Sequence, residues 1–176
     1  MSQQVQSGRI DVHDIDELNL AVAPWQLDMR QISPGTFHAQ LDFAQFNGIL
    51  LTRERWSQRV SASGTSPVGY LALAGPCTER SFKWCCEEID SQTVIHGFGA
   101  DTDFQTPVSS DHWVILVPEE LLISKFGEKS AANMLGKRNV VSCQSRQSQR
   151  LATLVKYTIG EFQANRDSRA DRLTFD

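Results

Sequence analysis

From Trp25 onward, hydrophobic and polar residues alternate with a period of two. Trp25, Leu27 and Met29 alternate with Gln26, Asp28 and Arg30, and Ser33-Pro34-Gly35 turns the chain. Thr36 to Phe43 places Phe37, Ala39, Leu41 and Phe43 on one face and His38, Gln40 and Asp42 on the other. Alternation of this kind marks a half-buried strand. Asn47-Gly48 predicts a two-residue hairpin between strands, because both residues tolerate a positive φ. Ile49 to Arg55 and Trp56 to Ala62 read as the next two strands, and Ser63-Gly64-Thr65-Ser66-Pro67 as a break. Gly69 to Ala74, Ser81 to Cys86, Thr93 to Phe98 and His112 to Val117 complete the set. Short strands at roughly ten-residue spacing with Gly/Pro turns predict an all-β sandwich or barrel.

Helical signals are confined to the ends. Asp14 can cap a helix running to about Ala23, with Glu17 three residues on and Ile15, Leu18 and Val22 on one face. Pro24 stops it. Pro118, Glu119 and Glu120 open a second helix, with Leu121, Leu122 and Phe126 as its apolar side and Gly127 as its end. A third covers Ser130 to Leu135, closed by Gly136, and Val140-Val141 returns to the sheet. From about Ser145 to Asn165, Leu151, Leu154, Val155, Thr158, Ile159 and Phe162 fall at helical spacing. That stripe either packs on its own barrel or in part meets the same helix of a second copy. The regions are therefore a flexible N-terminus over 1–13, a β-barrel with helical additions over 14–145, a helix over 146–165, and a charged linker over 166–176.

Length and composition fit one folded domain: 176 residues, 40% hydrophobic and 22% charged. A net charge of −4 argues against direct nucleic-acid binding by this chain. No apolar run approaches the roughly 18 residues of a membrane span. The opening MSQQVQSGRIDVHD lacks the apolar core of a signal peptide. The expectation is a cytoplasmic protein with no membrane partner. Charge is uneven: residues 1–145 carry 11 basic and 17 acidic side chains, residues 146–176 carry 6 and 4, a net of −6 against +2.

Candidate chemistry is sparse. Cys77, Cys85, Cys86 and Cys143 form no CxxC, so a zinc knuckle or thioredoxin site is not indicated. Adjacent Cys85 and Cys86 are better read as free thiols than as a strained ring. His13, His38, His96 and His112 form neither HxH nor HExxH, so no metal is expected. Gly127-Glu128-Lys129-Ser130 lacks the upstream glycine and the Gly-Lys pair of a phosphate loop. Gly97-Phe98-Gly99 lacks the third glycine of a dinucleotide fingerprint. No nucleophile elbow occurs, no catalytic constellation can be named, and no cofactor is expected.

The order of elements nonetheless resembles the N-terminal sensor domain of AraC-family transcriptional regulators, in the AraC-binding-like branch, over about residues 10–165. Asp14-Ile15-Asp16-Glu17-Leu18 is followed by Gln31-Ile32-Ser33-Pro34-Gly35-Thr36-Phe37, similar to that branch's leucine/isoleucine-x-Pro-Gly-x-Phe signature. Gly48-Ile49-Leu50-Leu51, the Arg55-to-Arg59 strand, the Gly64-x-x-Pro67-x-Gly69 turn, the Trp113 strand, two helices after Pro118 and a long helix follow in the family's order. The resemblance implies a mainly β, cupin-like jelly-roll barrel followed by C-terminal helices, an α+β chain that senses an effector and dimerises. It also implies that DNA is met only through a helix-turn-helix part absent from this sequence. It carries over no catalytic residue. Metal-dependent cupin enzymes use an HxH with a later glutamate and histidine, whereas here Gln40 follows His38 and Phe98 follows His96.

Small barrels hold one ligand among aromatic walls with a few polar anchors. Phe37, Phe43, Tyr70, Trp84 and Trp113 are the candidate walls, and Arg53, Arg55 and His96 the candidate anchors. Against each stands the plain alternative that period-two aromatics are core and arginines at strand ends face water. Leu151, Leu154, Val155, Ile159 and Phe162 are the candidate homodimer contacts. The leading expectation is a non-enzymatic, effector-sensing, dimerising regulatory domain. Its rivals are a small cupin enzyme, an isomerase or dioxygenase, and an interaction domain without a ligand.

Overall fold

A computed structural model describes residues 6–22, 25–78, 80–90, 93–97, 101–135, 140–142 and 146–173. The elements run β1 (Gln6–Val12), α1 (Ile15–Ala21), β2 (Gln26–Gln31), β3 (Ala39–Phe46), β4 (Ile49–Trp56) and β5 (Val60–Thr65). Next come β6 (Tyr70–Pro76), β7 (Phe82–Trp84), β8 (Glu87–Ile89), β9 (Val94–Gly97), β10 (Asp101–Gln105) and β11 (Ser110–Pro118). The chain closes with α2 (Glu119–Phe126), α3 (Glu128–Leu135), β12 (Val140–Ser142) and α4 (Arg146–Leu173). Seven strands form one sheet in the order β1-β3-β4-β11-β6-β9-β12, and five form another, β2-β5-β10-β7-β8. All the pairings are antiparallel. The result is the expected mainly β, jelly-roll-like fold with helices at the ends.

Local chemistry explains several elements. Asp14 caps α1 by accepting from the Glu17 amide at 2.8 Å, and Glu17 accepts in turn from the His13 amide at 2.8 Å. One of the free helix-start donors is thereby satisfied, and the second bond fixes the residue just before the cap. Asn47 (φ 51°) and Gly48 (φ 77°) make the expected two-residue turn, with Phe46 opposite Ile49. Gly127 (φ 77°) ends α2.

Four expectations need correction. The N-terminal segment expected to be flexible is, from Gln6 to Val12, an edge strand that runs along β3. It reads as polar because most of its side chains face water. The break expected at Ser63-Gly64-Thr65 is the end of β5, paired with both β2 and β10. The linker expected from residue 166 is helical to Leu173. With no apolar stripe there, the pattern held no signal for where the helix stops. Cys85 (φ 45°) and Cys86 (φ 69°), read as strand end, form the turn between β7 and β8 in left-handed conformations that non-glycine residues seldom adopt. Pro24, Gly136, Phe98, Cys143 and residues 1–5 and 174–176 lie outside the described residues.

Both faces of the seven-stranded sheet are covered. On one face Leu51, Val94, Trp113 and Ile115 pack with Val155 and Ile159 of α4. On the other, Ala72, Val114 and Leu116 look toward the five-stranded sheet, where Met29, Ala62, Phe82, Trp84 and Ile89 complete the interior. Leu71 anchors α2 and α3 through Leu122, Ala131 and Leu135.

Gly64 lets β2 and β5 approach. A Cβ there would collide with the Gln26 carbonyl oxygen, and the φ of +153° is itself unsuited to a side chain. Gly64→Ala is therefore expected to cost more than about 2 kcal/mol in urea unfolding. The same change at Gly69, whose Cβ meets nothing, should lose only the cost of its positive φ, near 1 kcal/mol.

Candidate cavity between the two sheets

The register of β4 against β11 decides which side chains enter the interior. Glu54 pairs with His112 across the two strands and Thr52 with Val114. By the period-two rule Leu50, Thr52, Glu54 and Trp56 share the inner face, and Leu51, Arg53 and Arg55 the outer one. The inner face opens onto a cavity with about 540 Å³ of empty space, counting its mouth to solvent. Val22, Trp25, Leu27 and Met29 wall it on one side, Ala74, Ile95 and Val114 on another, and Trp56, Phe82, Trp84 and Phe104 form its aromatic wall.

Among the described residues, two ionisable side chains belong to that lining, Glu54 and His112. Both are buried, at 6% and 9% exposure. His112 Nε2 lies 3.6 Å from Glu54 Oε2, and the Thr52 hydroxyl donates to Glu54 Oε1 at 3.0 Å. The imidazole is clasped edge-on by Trp56 (centroids 4.7 Å apart, 87°) and Phe82 (5.3 Å, 74°). Trp84 stacks on Phe104 at 5.5 Å and 10°. Trp56 Nε1, Trp84 Nε1 and His112 Nδ1 are buried without a hydrogen-bond partner. A buried polar atom without a partner costs roughly 1–3 kcal/mol. An apolar pocket with a few convergent polar groups is the ordinary form of a small-molecule site.

Of the eight expected ligand residues, only Trp84 lines this cavity. Phe37 is buried in the cluster of Val12, Leu18 and Met29. Phe43 lies over Gly8 of the edge strand, where an added Cβ would sit 2.8 Å from its ring. Tyr70 packs beside Ala72 and Leu116. Trp113 is on the opposite face, under α4. His96 shares that face, opposite Leu73 in the β6–β9 ladder.

The two arginines also point away from the cavity, into ion pairs. Arg53 donates twice to Asp111, at 2.9 and 2.7 Å. Arg55 pairs with Asp42, which also accepts from Arg9 at 2.6 Å. Asp42 does share a face with His38 and Gln40, yet it is 1% exposed. It lies in a crevice with Ile159 and Phe162, because α4 covers that face. Glu54, His112, Trp56 and Phe104 were missed because the alternation shows two faces without saying which faces the cavity. The usable signal was one strand long: Glu54 shares its parity with Trp56, not with the arginines.

The expected dimer stripe is divided. Val155 and Ile159 are buried against the chain's own sheet, Leu151 packs partly with them, and Phe162 is half-buried. Leu154 is 60% exposed. Among the described residues no three His, Cys, Asp or Glu side chains are grouped to hold a metal ion. No described helix is long and apolar enough to cross a membrane.

No family model matches the chain, and no curated protein matches it. Among solved structures, it is similar to the crystal structure of the AraC-like transcriptional activator CuxR, with a TM-score of 0.62. The two share a fold. The superposition covers 90% of this chain and 61% of that one, at 17% sequence identity. This chain thus spans about three-fifths of the activator's length.

Two expected outcomes test the electrostatics. Burial pushes the Asp111 carboxyl up, but the Arg53 hydrogen bonds and charge outweigh it and hold it below the usual range. A carboxyl depressed on folding stabilises above its unfolded value, about 3.9, and loses that contribution as pH falls through the folded one. Asp111→Asn should therefore flatten the acid limb of stability against pH, followed by circular dichroism. Separately, His112→Phe would leave Glu54 Oε2 buried without its neighbour and should cost about 1–3 kcal/mol. Adding Glu54→Gln should recover part of that loss, and the double-mutant cycle measures the coupling.

Proposed function

We propose that this chain is the effector-sensing, dimerising domain of an AraC-type transcriptional regulator, and not an enzyme. The observation that carries the reading is the apolar cavity holding the Glu54–His112 pair, in a fold shared with an AraC-like transcriptional activator. The same strands, β4 and β11, line the cavity with one face and support α4 with the other. An effector that binds one arrangement of those strands better than another shifts the population and with it the seat of α4. α4 then leads to a separate helix-turn-helix part, which contacts DNA. Leu154 (60% exposed) and Tyr157 (65%), three residues apart on α4, supply the apolar surface for pairing with a second copy.

The test uses the small-molecule fraction of a cell extract. A bound effector at about 100 times its Kd adds roughly 2.7 kcal/mol and should raise the melting temperature by about 5–10 °C. Ala74→Trp, which fills the cavity from β6, should abolish that rise. An equal rise in both proteins would mean that the cavity is not the sensor. For pairing, Leu154→Glu with Tyr157→Glu should give a folded monomer by light scattering and circular dichroism. A double variant that stays dimeric would place the interface elsewhere.

A further inference from the structure

We propose that the cavity takes a small, flat, uncharged molecule: an apolar ring carrying an acceptor oxygen, as a carbonyl or a hydroxyl. This rests on the sensing reading above and specifies its ligand. The body of the ligand follows from the walls, which mix aromatic side chains with Leu27, Met29 and Ile95. Mixed walls of this kind offer apolar contact on all sides rather than a cage of ring faces around a charge.

The acceptor follows from the unpartnered donors. Trp56 and Trp84 both belong to the cavity wall, and neither indole N–H has a partner. An indole nitrogen can only donate. A ligand oxygen that accepts from one of them, with a small side-chain adjustment, removes a buried unsatisfied donor. A hydrocarbon cannot do so.

The lack of charge follows from the anchors. Both oxygens of Glu54 are already engaged, by Thr52 and by His112. Arg53 and Arg55 are spent on Asp111 and Asp42 on the other face of β4. Among the described residues the lining holds no lysine or arginine. A carboxylate entering would therefore meet Glu54 with no fixed positive charge to balance it. An organic cation would compete with His112 for Glu54 and leave both indole donors without an acceptor.

Four one-ring probes separate these cases by calorimetry on the whole chain: acetophenone, toluene, benzoate and phenyltrimethylammonium. Acetophenone is expected to bind at least tenfold more tightly than the other three, and Ala74→Trp should eliminate its binding. Trp84→Phe keeps the ring and removes the donor. It should weaken acetophenone about three- to tenfold, the worth of one hydrogen bond, and leave toluene unchanged. Unchanged toluene affinity and circular dichroism show that the variant is folded; if it is not, Trp56→Phe replaces it. Benzoate, the ammonium or toluene binding as tightly as acetophenone would overturn the ligand class while the sensing cavity stands. No loss of acetophenone affinity in the indole variants would overturn the class in the same way. If none of the four binds, the ligand class fails; the sensing reading falls with it only if the extract also gives no melting-temperature rise that Ala74→Trp abolishes.

Discussion

Glu54 sits opposite His112 because β4 and β11 pair in one particular register, and the interior of the protein depends on that pairing. The same register sets Arg53 opposite Trp113 and Arg55 opposite Asp111 on the reverse face. A slip of one residue would turn both arginines into the cavity and expose the acid to α4. The register is held from both sides. Trp56 and Val114 pack inward, and Leu51, Trp113 and Ile115 pack outward. The Asn47-Gly48 turn then carries it to β3.

The reverse face of that sheet is unusually charged for a surface under a helix. Asp42 is fully buried there, yet it is met by Arg9 of β1 and Arg55 of β4. One carboxylate thus ties three neighbouring strands, which gives the polar edge strand β1 a fixed place. Arg53 and Asp111 make a second, bidentate link between β4 and β11. Cys77 lies beside it, its thiol pushed up to about 12 by burial and by Asp111, so it is protonated at neutral pH. Lys156 of α4 donates to the Cys77 carbonyl oxygen at 2.7 Å. The helix is therefore joined to the sheet by a hydrogen bond as well as by Val155 and Ile159.

This arrangement separates two jobs. Charges that fix the architecture lie on the α4 side, already paired. The cavity side keeps one acid, one imidazole and unpartnered indole donors among apolar walls. Groups without partners are costly in a static core, and a ligand is the natural way for such a cost to be relieved.

Much of the fold was legible in the chain itself. The Asp14–Glu17 cap, the Asn47-Gly48 hairpin, most strands and the four helices follow from short-range rules that act within a few residues. β1, β8 and β10 escaped, since Gln6–Val12, Glu87–Ile89 and Asp101–Gln105 carry almost no apolar alternation. The candidate site was legible only at Trp84. A strand's alternation states that two faces exist, and here both are covered, one by the second sheet and one by α4. Which face holds the cavity, that Asp42 is buried and that Arg53 and Arg55 are paired away were decided by the packing of elements far apart in sequence. Local pattern determined the strands; only the closing of one sheet over the other determined that Glu54 and His112, and not the arginines, face the space between them.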